Sequence, residues 1–218
     1  MHNVNQMYTR STIKTQVKLF LFFVAIFCCP RLYGQFSVGL EGGANVSTVD
    51  FRGVEGIDEG YFHGYFIGIA PRLTKNKITL LLDLNYSYRG HEFGSSDLIE
   101  ESTKYRTPYW IISPQAEYRL HKSFGIGLGF YMGMEIEEAQ KTPFDDEWVN
   151  TDEFDIHQSP SYGFNLGVKY FFDKVYIKAL FDFGIKNVLS PEVQSINGTT
   201  LELYQRSVLL GVGYLFDF

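Results

Sequence analysis

Two short stretches set a base beside hydroxyl groups: His91-Glu92 precedes Ser95 and Ser96, and His157 lies two residues before Ser159. A Ser hydroxyl becomes a nucleophile when a base takes its proton and a third group orients that base. Nothing in these spacings forces such a triad, and Ser and His are ordinary loop residues, so no catalytic site is expected. A third stretch concentrates carboxylates: Glu135, Glu137, Glu138, Asp145, Asp146, Glu147, Asp152, Glu153 and Asp155, against Lys141. Carboxylates supply hard oxygen ligands to divalent cations. No EF-hand spacing is present, and the expectation is a solvated loop extended by its own repulsion. Phe144, Trp148, Val149 and Phe154 interrupt the acids. They suit either a partner-binding tip or packing over neighbouring structure.

Other chemistry is thinly represented. Beyond residue 34 there is no Walker loop, no dinucleotide fingerprint and no Cys/His metal spacing, so neither a metal site nor a cofactor is expected. Both cysteines, Cys28 and Cys29, fall in an N-terminal segment with the marks of an export signal. Lys14 and Lys18 form its positive region, Leu19 to Phe27 an apolar run, and Pro30 ends that run ahead of Gly34. The run is too short for a bilayer-spanning helix, which needs about twenty residues. Phe27 before Cys28 is wrong for lipidation, which requires a small residue there. Residues 1–34 are therefore expected to be a cleaved signal peptide, although Leu32 is a poor cleavage residue and leaves the exact site open.

Charge divides at the same boundary. Residues 1–34 carry Arg10, Lys14, Lys18 and Arg31 and no acids. Subtracting those four from the 19 basic residues leaves 15 against 25 acids, a net of −10 for residues 35–218. That balance excludes a nucleic-acid partner, whose phosphates demand a basic surface.

The elements that position these residues follow a period of two. Phe36, Val38, Leu40 and Ala44 share one face, and Ser37, Gly39, Glu41, Gly43 and Asn45 the other. The alternation recurs over 62–73, 78–90, 108–120, 124–137, 161–172, 175–187 and 203–218, which makes eight strands. Pro114 cannot donate to a ladder and predicts a bulge in the fourth. Tight polar turns at Thr74 to Lys77, His121 to Ser123 and Asp173-Lys174 alternate with long connections near 46–61, 90–107, 138–160 and 188–202.

Period two does not itself say which face points inward. The polar face carries charges of both signs, Glu41, Arg72, Asp83, Arg89, Glu117, Arg119, Lys169, Lys178 and Asp182, interspersed with Gly. An eight-stranded interior is just wide enough for side chains to fill, which suits small residues beside ion pairs. The apolar face is rich in large aromatics, which suits lipid contact and interfacial girdles. The expected fold is therefore all-β: an eight-stranded antiparallel transmembrane up-and-down β-barrel over residues 35–218. It belongs in a bacterial outer membrane, with both termini on the periplasmic side. Phe218, in phase with Phe216 and Tyr214, is similar to the C-terminal signal read by the outer-membrane assembly machinery.

Four stretches then resemble one family. VGLEGGANVS (38–47), LLLDLNYSYRG (80–90), the Ile112-x-Pro114 core of the fourth strand and LFDFGIKNV (180–188) resemble, in order, the PorT-like outer-membrane β-barrels of Bacteroidota. The resemblance covers nearly all of residues 35–218. It departs at Leu180, where a basic residue is frequent, and in the acidic third loop. It implies a small eight-stranded barrel, not an enzyme, with a structural or interaction role. An envelope protein partner would meet it through loop 138–160. The founding member's part in type IX secretion makes an accessory component of such a machine the alternative. A narrow channel and a lipid-modifying enzyme are further readings, and the residues support them less.

Overall fold

A computed structural model describes residues 34–53, 59–93, 103–136, 139–141, 149–150, 160–189, 195–196 and 199–218. Eight long strands account for most of them: β1 (Gln35–Arg52), β2 (Glu59–Lys75), β3 (Ile78–Phe93), β4 (Thr103–His121), β5 (Phe124–Glu135), β6 (Ser161–Phe172), β7 (Val175–Gly184) and β8 (Glu202–Asp217). Each pairs with its neighbours in the chain, and β8 returns to β1, so the sheet closes. The closing ladder is antiparallel and unbroken from Ser37–Asp217 to Arg52–Glu202.

The strands form where side chains alternate between two surroundings. Along β6 every second residue, from Ser161 to Phe171, is buried and every other one, from Tyr162 to Phe172, is exposed. The buried phase is the polar one: Glu41, Arg72, Asp83, Arg89, Glu117, Lys169, Lys178 and Asp182 all lie inside. The apolar phase faces out, with Leu128 62% and Leu210 56% exposed. In water such a surface would be costly; in hydrocarbon it is the favourable one.

The outward residues are also sorted by height. One end carries Tyr65, Tyr88, Tyr86 and Trp110, whose successive ring centroids lie 4.9 to 5.5 Å apart. The turn end carries the pairs Tyr170–Phe172 at 4.6 Å, Tyr214–Phe216 at 4.9 Å and Phe36–Phe218 at 6.0 Å. Aliphatic residues such as Leu40, Ile67, Leu128, Leu166, Ile177 and Val212 fill the belt between. From girdle to girdle a strand contributes about eleven residues, the length a tilted strand needs to cross a bilayer. Beyond the upper girdle the outward phase turns polar, with Asp50, Arg52, His63, Glu92, Lys104 and Arg106.

Strands β1 to β4 run 16 to 19 residues, against 10 to 12 for β5 to β7. The expected connections near 46–61 and 90–107 are correspondingly shorter than the alternation suggested. Above the girdle the pattern inverts, with polar groups outward and Val49, Phe51 and Leu203 turned inward, so the outward hydrophobic period vanishes although the ladder continues. Two devices cover the raised edges. Ala139–Lys141 pairs with Lys104–Arg106 of β4. Beside β8, Asn187 accepts from the Leu203 amide at 2.9 Å and donates to the Leu201 carbonyl at 3.0 Å, much as a strand would.

The three tight turns are present, at Asn76-Lys77, Lys122-Ser123 and Asp173-Lys174. Asn76 and Asp173 take left-handed φ values of 55° and 57°, which their short polar side chains tolerate. The bulge expected at Pro114 is not found there. Leu82 faces Pro114 in an unshifted ladder with β3, and the β5 side keeps one register from Ile112–Met132 to Gln115–Gly129. The shift falls instead between Arg119 and His121. On the β5 side Pro114 falls in the short stretch without ladder pairs, where its missing N–H disrupts nothing.

Inside, glycine makes room for one large ring. A Cβ built on Gly213 would lie 2.3 Å from Cζ of Tyr176, and one on Gly39 would lie 2.6 Å from its hydroxyl oxygen. Gly213→Val is therefore expected to displace Tyr176 and destabilise the barrel by about 2 kcal/mol. Urea unfolding in lipid vesicles, followed by tryptophan fluorescence, measures the loss.

Candidate functional site: the charged lumen and its mouth

Every inward charge arises from one phase of one strand. Glu41 comes from β1, Arg72 from β2, Asp83 and Arg89 from β3, Glu117 and Arg119 from β4, Lys169 from β6, and Lys178 and Asp182 from β7. Among the described residues the buried set holds four acids and four bases besides His91, an electrically balanced filling. Arg119, half-buried at the turn end, adds a fifth cation partly open to solvent.

Toward the turns, Glu117 is the hub. Arg72 NH2 donates to both of its oxygens at 2.9 Å, Lys169 Nζ approaches at 3.4 Å and Arg119 Nε at 3.7 Å. The Arg119 guanidinium also stacks 3.9 Å from the Phe171 ring centre. At mid-height, Lys178 bridges Glu41 and Asp83, the latter at 3.0 Å. Tyr176 donates to Glu41 at 2.6 Å and Asn85 to Asp83 at 3.1 Å. Above these lies an apolar layer of Phe66, Leu180 and Leu209. Leu180, though it stands between the inward charges Lys178 and Asp182, packs rather than pairs. Toward the loops, Arg89 pairs with Asp182, to which Ser207 also donates at 3.3 Å. Asn45 donates to Ser87 at 2.8 Å and to the Tyr88 carbonyl at 2.6 Å.

An isolated charge inside protein is strongly unfavourable, so such a lumen holds only as a set. Lys178→Met leaves Glu41 and Asp83 facing each other and is expected to cost about 3–5 kcal/mol. The triple variant Glu41→Gln, Asp83→Asn, Lys178→Met removes charge on both sides and is expected to recover most of that loss. Chemical unfolding of the two variants in vesicles compares them; equal losses would contradict the pairing.

All nine charged residues assigned to the polar face do point inward, and eight are buried. Tyr176 was missed, although it shares the parity of Lys178. Lys186, of the same parity as Lys178 and Asp182, lies past the end of β7 and donates to the Pro160 carbonyl at 2.9 Å. Of the loop groups, His91 is buried and stacked on Tyr105 at 4.9 Å, while Glu92 pairs with Lys104 at 3.3 Å. Ser95, Ser96, His157 and Ser159 lie outside the described residues, as do the acids from Glu137 to Asp155 and Phe144, Trp148 and Phe154. At the rim, Arg52 and Arg206 hold Asp50 at 2.8 and 3.0 Å. The Arg52 hydrogen bond, with both positive charges, keeps the Asp50 carboxyl below the ordinary carboxylate range. No cluster of three or more metal-binding side chains occurs among the described residues.

A closed eight-stranded ring with a polar interior, an apolar exterior and two aromatic girdles has a known counterpart. Residues 29–190 match the family model described as the outer membrane protein beta-barrel domain. The chain belongs to that family. This small barrel is a protein of the bacterial outer membrane. Among solved structures it is similar to Ail, the attachment invasion locus protein of Yersinia pestis, with 15% identity, 84% of this chain and 99% of that chain covered, and a TM-score of 0.45. Neisserial surface protein A gives 13%, 82%, 96% and 0.45 for the same quantities. OprG of Pseudomonas aeruginosa gives 13%, 85%, 97% and 0.41. No curated protein matches the chain in sequence.

Proposed function

We propose that this outer-membrane barrel is a structural and interaction protein, not a conduit or an enzyme, and that it meets its partner through its long loops, above all 138–160. The filled lumen carries this reading. Buried ion pairs and the Phe66–Leu180–Leu209 layer occupy the space a water column would need. The raised wall supports it too, since its β4 edge carries the start of loop 138–160, Ala139–Lys141, clear of the apolar belt.

Orientation follows from the same asymmetry. The tight-turn end, with Gln35 and Asp217, is periplasmic, and the raised wall faces outward, as short periplasmic turns and longer external loops are the rule in such barrels. Residues 1–34 act as the cleaved export signal, 35–218 form the barrel, and the assembly machinery reads the strand that ends at Phe218. The finer placement among PorT-like barrels of Bacteroidota rests on motif residues with structural tasks. Glu41, Asn45, Asp83, Asn85, Asp182 and Asn187 make the hydrogen bonds that organise the lumen and cap the wall. The resemblance to a secretion component is compatible with an interaction role and adds no activity of its own.

Two measurements test the proposal. In planar bilayers the purified barrel is expected to show no steady unit conductance; a stable open channel would overturn the plugged lumen. Photo-crosslinkers at Trp148 in intact cells are expected to capture a discrete envelope protein, while the same probe at Leu128 in the apolar belt captures none. Equal capture at both sites, or at neither, would contradict an interaction role for the loop.

A further inference from the structure

The loop-side mouth contains a cavity of about 20 Å³. Arg89, Thr107 and Gln205 form part of its polar wall, and Val49, Val188 and Leu203 supply apolar lining. Those three apolar residues belong to a packed cluster with Leu189 and Leu201. Two atoms of the polar wall are buried and make no hydrogen bond within the described structure: Arg89 Nε and Gln205 Oε1. Each residue is already held by its other end. Arg89 donates through NH2 to Asp182, and Gln205 donates through Nε2 to the Tyr109 hydroxyl at 2.5 Å.

The unused groups define their ligand. Arg89 Nε is a donor and repels cations, whereas Gln205 Oε1 is an acceptor and disfavours anions. A partner for both must accept and donate, carry no net charge and fit a space little larger than one solvent molecule. Water meets each condition, and a cavity holds one once it offers roughly 10–15 Å³ and two or more polar partners. The Tyr131 hydroxyl and Asp182 Oδ1 flank the same ion pair and are likewise without a hydrogen bond. The Tyr131 ring centre lies 5.6 Å from the Arg89 guanidinium carbon.

We infer that the mouth holds a structural water that bridges Arg89 Nε and Gln205 Oε1 beside Val49, Val188 and Leu203. It fixes the second face of the Arg89–Asp182 pair, which no described side chain hydrogen-bonds. The Phe66–Leu180–Leu209 layer separates it from the Lys178 cluster, so it is not the head of a water column through the lumen.

The test is a crystal structure of the full barrel at a resolution that orders solvent, paired with Val49→Ile, which extends the apolar lining into the cavity. The expected map has a peak about 2.7–3.2 Å from both atoms. Val49→Ile then expels the water and strands two buried polar groups, and the unfolding equilibrium constant is expected to rise about tenfold. In a dry cavity the added methylene fills a void and the constant falls. A map empty at that position, or a stabilised Val49→Ile, overturns the inference; should the variant fail to fold, the wild-type map decides alone.

Discussion

In hydrocarbon there is no water to take up a free backbone N–H or C=O, and each one left unpaired costs several kcal/mol. The ladder between β1 and β8 is therefore the interaction on which everything else here depends. It runs from Ser37–Asp217 to Arg52–Glu202 without a break and leaves the membrane sheet no edge. Closure at eight strands then sets the interior diameter, and that diameter decides what the inward phase of each strand is able to hold. The outward phase is left free to match lipid.

The interior is an electrostatic consequence of that narrow bore. Once Glu41, Asp83, Glu117 and Asp182 are enclosed, each needs a cation, and Lys178, Arg72, Lys169 and Arg89 come from strands on several sides of the ring. The pairs thus cross the lumen as well as fill it, tying together strands that share no ladder: Arg72 of β2 holds Glu117 of β4, and Arg89 of β3 holds Asp182 of β7. Small residues complete the fit where rings are large, as Gly39 and Gly213 do around Tyr176. A barrel held in this way gains rigidity from its lumen.

Strand count, phase and the inward face were legible in the sequence because the membrane imposes one sharp rule on every second residue between Phe36 and Phe218. Legibility ended where that rule ends. Above the upper girdle, Thr48, Asp50 and Arg52 continue β1 with polar groups outward while Val49 and Phe51 turn inward, an alternation opposite to the one that marks the belt. Glu117 was readable as a lumen residue, but not as the hub of Arg72, Lys169 and Arg119, because partner choice depends on register across strands far apart in the chain. Pro114 illustrates the opposite error. A local rule about missing N–H groups predicted a bulge, yet Pro114 pairs with Leu82 on β3 and lies in a gap only on the β5 side, without a change of register. The role of Asn187 as an edge cap was likewise invisible, since it depends on Leu201 and Leu203 arriving beside it.

The central claim is that the apolar phase faces lipid and the charged phase fills the lumen. Its most direct test is a series of single spin labels along β6 at Tyr162, Phe164, Leu166, Val168, Tyr170 and Phe172, in a chain whose only cysteines, Cys28 and Cys29, precede the barrel. In lipid vesicles, collision with oxygen is expected to peak near Leu166 and Val168, where a water-soluble nickel complex is excluded, and the two are expected to exchange toward either end. Labels that are immobilised and shielded from both reagents along the whole series would place these side chains in a closed core, and the assignment of the two faces would be reversed.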